Sequence, residues 1–478
     1  MSEDAWFVLP VHPARLLLRA GTVAIAQRPD ETTENGSPEE AVAWHTPRMD
    51  AREETMAGGA LTREERRAAE AVDGERLFAV LADLIAIESV ANRETPGQER
   101  VAEEMGAIGL ETDVWEIDFE RLRRHPAYTA DVDRHEGLGV VGSIGRGEGR
   151  TLILNGHIDV VPAGEVERWT HPPFTLNRRG GRLFGRGVVD MKGQLCSALA
   201  AARALRDAGI EPEDALQVQS VIGEEDGGSG MLATIERGHT GDGAIVVEPT
   251  GFVIAPAQAG ALSFRLTVPG LAAHGAMREE GVDPVEKFIP IFRRLRALEA
   301  ERNRDVADPL FRGEALPYAL TMGRLRAGIW PSTVAESLVV EGRYGVAPGE
   351  DLAGARRKLE DAVAEAASGD AWLRDHPPAV EWVGAQFAAA RTDARDPVVG
   401  ALAGAARSIG GTEPRVGGVR YGADMRLLVN HGHVPTVLFG PGDVREAHRP
   451  DESVHATDLV ELARILAVTA IRFCRMHG

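Results

Sequence analysis

The feature that most constrains the fold is a regular alternation of apolar runs and helical patterns between residues 110 and 260. Four runs rich in aliphatic residues predict strands, and the segment after Asp190 repeats its apolar residues at helical spacing. This alternation predicts an α/β fold, a mostly parallel sheet with helices on both faces. Ligands of such sheets gather beyond the carboxyl ends of the strands. The four runs are Leu138–Val141, Leu152–Leu154, Leu216–Ile222 and Ala244–Val247.

A different order of elements interrupts this alternation between residues 261 and 383. Its pattern predicts strand, helix, two strands, helix and strand, the βαββαβ order of a small α+β domain. We therefore expect residues 261–383 to be an inserted domain, and residues 61–260 and 384–478 to form a discontinuous catalytic domain. Residues 1–60 lack periodic pattern and are expected to be a disordered extension. A capping-box pattern at residues 62–65, Thr-Arg-Glu-Glu, predicts the first helix start.

Charge and cysteine content restrict the partners and the compartment. The formal net charge is -20 and the isoelectric point is about 5.2, which argues against nucleic acid or an anionic membrane as a partner. Cys196 and Cys474 form no paired motif, so we expect no disulfide framework and a reducing, cytoplasmic compartment. No apolar run approaches the roughly 18 residues that a membrane span requires.

Candidate metal ligands follow the predicted strands. His157 and Asp159 end the second run, where Asp159 can orient the imidazole and leave its other nitrogen for a metal. Asp190 lies in a glycine-rich turn, and its two oxygens could bridge two metal ions about 3.5–4 Å apart. The alternatives are a surface His-Asp pair and an aspartate that caps the following helix.

Three carboxylates and one histidine complete the candidate set. Glu224 and Glu225 follow the third run, Glu248 follows the fourth, and His448 lies in a downstream glycine-rich loop. A solvated acidic turn, a turn start and a surface histidine are the respective alternatives. In the functional interpretation Glu225 and Glu248 bind metal, and Glu224 stays free as general base. Two divalent cations bring about +4 against three carboxylates, and the remaining charge near +1 favours an anionic substrate.

Five motifs in fixed order carry a resemblance to a known family. Together they resemble the co-catalytic zinc peptidase and deacylase family, which includes acetylornithine deacetylase, succinyl-diaminopimelate desuccinylase, aminoacylase and carboxypeptidase G. The resemblance covers roughly residues 75 to 475 and looks closest to acetylornithine deacetylase-like proteins. The motifs are Asn-Gly-His-Ile-Asp-Val-Val-Pro-Ala-Gly (155–164), Trp with Pro-Pro-Phe (169–174), Gly-Arg-Gly-Val-Val-Asp-Met-Lys-Gly (185–193), Gly-Glu-Glu (223–225) and Val-Glu-Pro-Thr (247–250).

The resemblance implies two divalent ions, with Zn²⁺ expected and Co²⁺ as the alternative. It assigns Glu224 as the base and Asp159 as the residue that orients His157. It also implies a metal at each of two sites that share Asp190. The first site has the ligands His157, Asp190 and Glu248, and the second has Asp190, Glu225 and His448.

The resemblance further implies that the inserted domain is a lid that forms a homodimer. His274 would reach the active site of the partner subunit and stabilise the oxyanion, and Arg343 would bind the substrate carboxylate. Residues 328–332, Gly-Ile-Trp-Pro-Ser, differ from the lid motif of the family, which commonly has Asn at the position of Gly328.

These features predict a metal-dependent hydrolase of linear amides. The first hypothesis is a deacetylase-like enzyme that removes an N-acyl group from an amino acid or a related small carboxylate. A dipeptidase or carboxypeptidase of the same family is the second. The hypothesis from another class is a catalytically silent homologue that binds a ligand or serves as a scaffold, and the presence of every metal and base residue argues against it.

Overall fold

The computed structural model describes residues 60–474 and 476–477, apart from residues 146–148 and 213. The predicted disordered extension therefore lies outside the described residues, except for residue 60. The predicted capping box is present, because the Thr62 side chain accepts a hydrogen bond from Glu65 N while the Glu65 side chain accepts one from Thr62 N. No helix among the described residues is long and apolar enough to cross a membrane.

The strands are numbered in chain order. They are β1 (Glu111–Glu116), β2 (Leu138–Ile144), β3 (Thr151–His157), β4 (Asn177–Arg179), β5 (Arg182–Phe184), β6 (Glu211–Pro212), β7 (Ala215–Val221), β8 (Gly243–Val246), β9 (Ile254–Gln258), β10 (Gly260–Pro269), β11 (Ala273–His274), β12 (Leu320–Ala327), β13 (Thr333–Val334), β14 (Ser337–Val346), β15 (Ala379–Phe387), β16 (Ala390–Arg391), β17 (Val416–Val419), β18 (Thr436–Leu438), β19 (Ser453–His455) and β20 (Met476–His477).

The α-helices are numbered in the same way, and short 3-10 turns occur at Val166–Arg168, Gly275–Glu280, Pro309–Phe311 and Val444–Glu446. The helices are α1 (Arg63–Glu70), α2 (Gly74–Ala86), α3 (Thr95–Ile108), α4 (Phe119–Leu122), α5 (Lys192–Asp207), α6 (Ser229–Glu236), α7 (Pro284–Asn303), α8 (Leu352–Ser368), α9 (Ala371–Asp375), α10 (Pro397–Gly410), α11 (Met425–Asn430) and α12 (Ala456–Phe473).

A large mixed sheet has the strand order β1-β2-β7-β3-β8-β18-β9-β16, with β17 paired to β9. The four central strands β7, β3, β8 and β18 are parallel to one another. Antiparallel pairs flank them, including β1 with β2 and β2 with β7. Helices α5 and α10 pack on the sheet and α12 packs on both of them, while α6 and α11 contact each other and also pack on the sheet. The α/β fold with helices against a sheet is confirmed, and its parallel part forms the centre.

The sequence of β3 explains its central position. Six of its seven residues are buried, and a nearly continuous buried run is typical of a strand covered by helices on both faces. Helix α5, which follows Asp190, is equally apolar and contributes Leu195, Leu199 and Leu205 to the same core. These elements place the carboxyl end of β3 at a rigid edge of the sheet.

A second sheet has the order β12-β14-β10-β15 and is antiparallel throughout. Residues of α7 and α8 cover it and form a hydrophobic cluster that is separate from the large core. The element order of residues 260–387 is the predicted strand, helix, two strands, helix and strand, with the short elements β11, β13 and α9 in addition. The role of this segment as an independent inserted domain stays a prediction.

Candidate metal centre and active site

The candidate residues lie at the carboxyl ends of the four central parallel strands. His157 is the last residue of β3, and Glu224 follows the end of β7 after a turn. Glu248 is the second residue after β8, and the loop after β18 leads to His448. Because parallel strands end at the same edge, four separate stretches of chain converge there. The structure therefore brings these residues together at the predicted edge.

Asp190 occupies the middle of this group. Its Oδ1 lies 3.1 Å from His157 Nε2, and its Oδ2 lies 3.3 Å from His448 Nε2. His448 Nε2 is also 2.9 Å from Glu225 Oε1, and His157 Nε2 is 4.0 Å from Glu248 Oε1. The two oxygens of Asp190 thus face different imidazoles, an arrangement suited to a carboxylate between two cations. The peptide bond between Asp190 and Met191 is cis.

Two overlapping groups of side chains, which share His157, could hold a divalent metal ion. The ligand atoms of His157, Glu224 and Glu248 lie within 4.8 Å of one another, and so do those of His157, Asp190 and Glu225. Imidazole nitrogens and carboxylate oxygens are suitable ligands for zinc and similar ions. The donor set therefore fits two neighbouring divalent ions.

The electrostatics of the cluster support the same interpretation. Burial raises the pKa of Glu224 well above its usual value, and the charge of Glu248 raises it further. Burial and the charge of Asp190 likewise raise the pKa of Glu248 and of Glu225. Hydrogen bonds with Asp190 and Glu225 raise the pKa of His448 to about 10. Buried carboxylates at this density are costly without nearby positive charge, and divalent cations would supply it.

The structure changes the expected contact of Asp159. The nearest acceptor for His157 Nδ1 is the backbone oxygen of Asp159 at 2.9 Å, while the Asp159 carboxylate lies 3.6 Å away. Its Oδ2 instead accepts a hydrogen bond of 3.1 Å from Glu225 N. Asp159 therefore fixes the imidazole through its main chain and fixes the acidic loop through its side chain.

A buried arginine behind the acidic loop was not predicted. Arg134 is 1% exposed, and its Nη1 donates to Glu94 Oε1 at 2.7 Å. Its Nε donates at 3.1 Å to Oδ2 of Asp226, which is the residue directly after Glu225. Residues 131–136 are a charged stretch without periodicity, so no signal in the sequence separates Arg134 from its neighbours.

Asp424 is a second buried group that received no predicted role. It is fully buried, and both of its carboxylate oxygens lack a hydrogen-bond partner among the described residues. The adjacent Arg426 donates to Gly227 O at 2.7 Å and so holds the end of the acidic loop. Burial raises the pKa of Asp424 to about 7, although the charge of Arg426 opposes this.

The two site residues predicted between residues 261 and 383 make no hydrogen bond or ion pair to this cluster among the described residues. His274 is exposed, and its Nδ1 accepts a hydrogen bond from Ala276 N at 3.2 Å. Among the described residues it has no hydrogen bond or ion pair to the cluster. Arg343 is on β14, and its Nη2 donates to Arg420 O at 3.0 Å. Burial lowers the pKa of the Arg343 guanidinium.

Comparison with known proteins matches these features to one family. The sequence profile described as Peptidase family M20/M25/M40 matches residues 153–472. The chain belongs to peptidase family M20/M25/M40. The matched region contains the parallel strands, apart from the first two residues of β3, and all six clustered residues. The chain is accordingly an amidohydrolase of this family, a hydrolase of amide bonds.

Individual relatives include deformylases and desuccinylases. The chain is 30% identical over 346 residues to an N-formyl-4-amino-5-aminomethyl-2-methylpyrimidine deformylase of Halalkalibacterium halodurans, which covers 69% of this chain and 80% of that protein. It is 38% identical over 171 residues to a succinyl-diaminopimelate desuccinylase of Paracidovorax citrulli, which covers 34% of this chain and 44% of that protein.

Solved structures show the same fold at low identity. A dipeptidase of Saccharomyces cerevisiae has a TM-score of 0.68 at 15% identity and covers 87% of this chain and 99% of its own. A metallo-carboxypeptidase of Sulfolobus solfataricus has a TM-score of 0.65 at 16% identity and covers 83% of this chain and 98% of its own. These likenesses support the fold of the family.

Proposed function

We propose that this protein is a dinuclear metal-dependent amidohydrolase that removes a small N-acyl group from an amino acid or a related small molecule. The observation that carries the proposal is the position of Asp190 between two imidazoles, with Glu225 and Glu248 beside them. His157, Asp190 and Glu248 would hold one ion, and Asp190, Glu225 and His448 the other. Zn²⁺ suits this mixture of ligands, and Co²⁺ is the alternative.

The chain's own residues account for the proton transfers. When bound, two divalent ions polarise an amide carbonyl and acidify a water molecule. Glu224 forms no side-chain hydrogen bond among the described residues, so its carboxylate is available as the base. It accepts the proton of the attacking water and delivers it to the nitrogen of the leaving amine. The backbone oxygen of Asp159 accepts a hydrogen bond from His157 Nδ1, and this contact directs His157 Nε2 toward Asp190.

A cavity beside the metal centre would accept the rest of the substrate. It has a volume of about 380 Å³, and its walls include the loop after Glu248 and the loop before His448. Arg312, Arg415 and Arg420 line it, against the two acidic residues Glu314 and Asp443. Glu314 pairs with Arg420 at 3.1 Å and Asp443 pairs with Arg445, so Arg312 and Arg415 are the cavity residues whose charge supports a substrate with an anionic portion. We also propose that Arg343, which contacts the Arg420 backbone, binds a substrate carboxylate.

A hydrolysis screen tests the proposed function. The substrates are N-formyl, N-acetyl and N-succinyl derivatives of a common set of amines and amino acids, an N-formyl aminomethylpyrimidine, and dipeptides. We expect hydrolysis of an N-acyl substrate that is abolished by chelation and restored by Zn²⁺ or Co²⁺. Cleavage of dipeptides alone would favour a peptidase, and no hydrolysis or metal binding after reconstitution would overturn the proposal in favour of a scaffold.

We further propose a homodimer through the segment of residues 261–383, in which His274 reaches the partner's active site. Helix α7 supports this, because Val285, Ile289 and Phe292 are 41–45% exposed at helical spacing along one face. Such a stripe is typical of an interface. Strand β12 lies at the edge of its sheet, so the backbone groups on its outer side are available to pair with another chain. A cytoplasmic location stays a prediction.

Replacing Phe292 with aspartate is expected to convert the dimer into a monomer, because a charge in an apolar interface loses its hydration. Light scattering coupled to size-exclusion chromatography measures the mass. The control Ala297→Asp places the same charge on another exposed face of α7 and should leave the dimer intact. A Phe292→Asp protein that remains dimeric would show that α7 is outside the interface.

A further inference from the structure

A buried glutamate beside the metal centre has no place in the chemistry above. Glu452 is 0% exposed, and it follows His448 by four residues in the chain. Its carboxylate points into the loop between β5 and α5, which carries Asp190. Glu452 therefore lies between two candidate ligands that come from distant parts of the sequence.

The contacts of Glu452 cover most of the Asp190 loop. Its Oε1 accepts hydrogen bonds from Val189 N at 2.9 Å and from Asp190 N at 3.1 Å. Its Oε2 accepts one from Arg186 Nη1 at 2.6 Å, and its backbone oxygen accepts one from Gly185 N at 3.2 Å. One buried side chain thus fixes both the main chain at Asp190 and the arginine that supports the loop.

The same residue is part of the segment that carries His448. The following residue, Ser453, pairs with Phe184 between β19 and β5. The preceding residue, Asp451, accepts hydrogen bonds from Thr170 N at 2.8 Å and from Thr170 Oγ1 at 2.7 Å. His448 itself has a half-exposed side chain and a backbone φ of 61°, so little burial holds it in place. Its position depends on this anchored segment.

We infer that Glu452 is a positioning residue that sets the separation between Asp190 and His448, the two proposed ligands of one metal ion. A rigid link of this kind places both ligands before an ion binds, and residues that orient ligands tune metal affinity. The inference rests on the proposed function. It differs from a purely structural role, in which the ion pair with Arg186 would stabilise the fold without affecting the ligands.

The variant Glu452→Gln tests this role. Glutamine keeps the shape, but its NH₂ group then faces either the two backbone N–H groups or the Arg186 guanidinium, so donors face donors. We expect the dissociation constant for Zn²⁺ to rise about 10–100-fold. The visible absorption spectrum of the Co²⁺-substituted protein should also change, because it reports ligand geometry directly and does not depend on turnover.

A matched control separates positioning from stability. Glu350 is a partly buried carboxylate that also pairs with an arginine, and its oxygens accept hydrogen bonds from Arg302 Nη1 at 2.9 Å and Nη2 at 2.7 Å. It lies near the second sheet, so Glu350→Gln should lower thermal stability and leave Zn²⁺ affinity unchanged. Glu452→Gln should lower both. If Glu452→Gln does not fold, the Zn²⁺ affinity of Glu452→Asp tests the positioning role instead. Aspartate keeps the charge but withdraws the carboxylate by one methylene.

The outcomes are distinguishable. Unchanged Zn²⁺ affinity and an unchanged Co²⁺ spectrum in a folded Glu452 variant, with two ions bound to the wild type, overturn the positioning role alone. A wild-type protein that binds no metal overturns the proposed function and this inference with it. Weakened binding in the Glu452 variant, with normal binding in Glu350→Gln, supports the role.

Discussion

Glu224→Gln is expected to lower kcat by about 10²–10⁴-fold, the range that a general base contributes, while the protein keeps its metal ions. Glutamine has nearly the same shape, so the loop after β7 should retain its conformation. It cannot accept a proton at neutral pH, so the attack of water and the protonation of the leaving amine both slow. Steady-state kinetics with the substrate found in the screen, together with metal analysis of the same samples, measure the two quantities.

A buried glutamate elsewhere provides the control for this experiment. Glu104 is 3% exposed and accepts hydrogen bonds from Arg76, Arg100 and Arg203, far from the acidic cluster. Glu104→Gln should reduce stability and leave kcat unchanged. A Glu224→Gln enzyme with near-wild-type kcat would show that another group takes the proton. Loss of metal from Glu224→Gln would instead place Glu224 among the ligands, where its proximity to His157 and Glu248 also permits it.

Asp190→Ala is expected to lower activity to the level of wild-type protein whose metal ions have been removed by a chelator. Because each oxygen of Asp190 faces a different imidazole, one substitution removes a ligand from both proposed ions. The loss of affinity should exceed the roughly 10–100-fold effect of changing a residue that only orients a ligand. Metal content after dialysis measures it directly.

Thermal unfolding gives a second measure for Asp190→Ala. Zn²⁺ at one hundred times its dissociation constant stabilises a folded protein by about 2.7 kcal/mol, so Zn²⁺ should raise the Tm of the wild type and not that of the variant. The control is Asp242→Ala at the opposite end of β3, where Asp242 Oδ2 accepts a hydrogen bond from Thr151 N at 2.8 Å. If Asp190→Ala still binds two ions, the bridging role is wrong.

The elements of the fold were predictable from local patterns. The runs that became β3, β7 and β8 are almost wholly buried, and their aliphatic residues identify strands under helices, although β7 also contains Gln217 and Gln219. The flanking antiparallel pair of β1 and β2 was harder to predict, because β1 reads Glu-Thr-Asp-Val-Trp-Glu and is half exposed. Its place at the edge depends on pairing with β2, which local sequence does not specify.

Within the candidate site, the clustering of the proposed ligands was predictable, and the residues that support them were not. His157, Glu225 and Glu248 follow strands, so topology brings them together. Arg134 and Glu452 lie in loops, and their importance depends on contacts with residues distant in the chain, such as Asp226 and Val189. A sequence shows that a loop contains charge, but the partner of that charge appears only after the chain has folded.

The segment that carries His448 is anchored by residues that are distant in the sequence. This separation affects how the site is assembled. His448 and Glu225 are 223 positions apart, yet their side chains meet at 2.9 Å. An ion held by both side chains would close a chain loop of that length, and a cross-link restricts the unfolded chain most when the loop it closes is long. The proposed metal centre would thus also join the carboxyl-terminal segment to the earlier strands, and we expect it to be completed only after that last segment has folded.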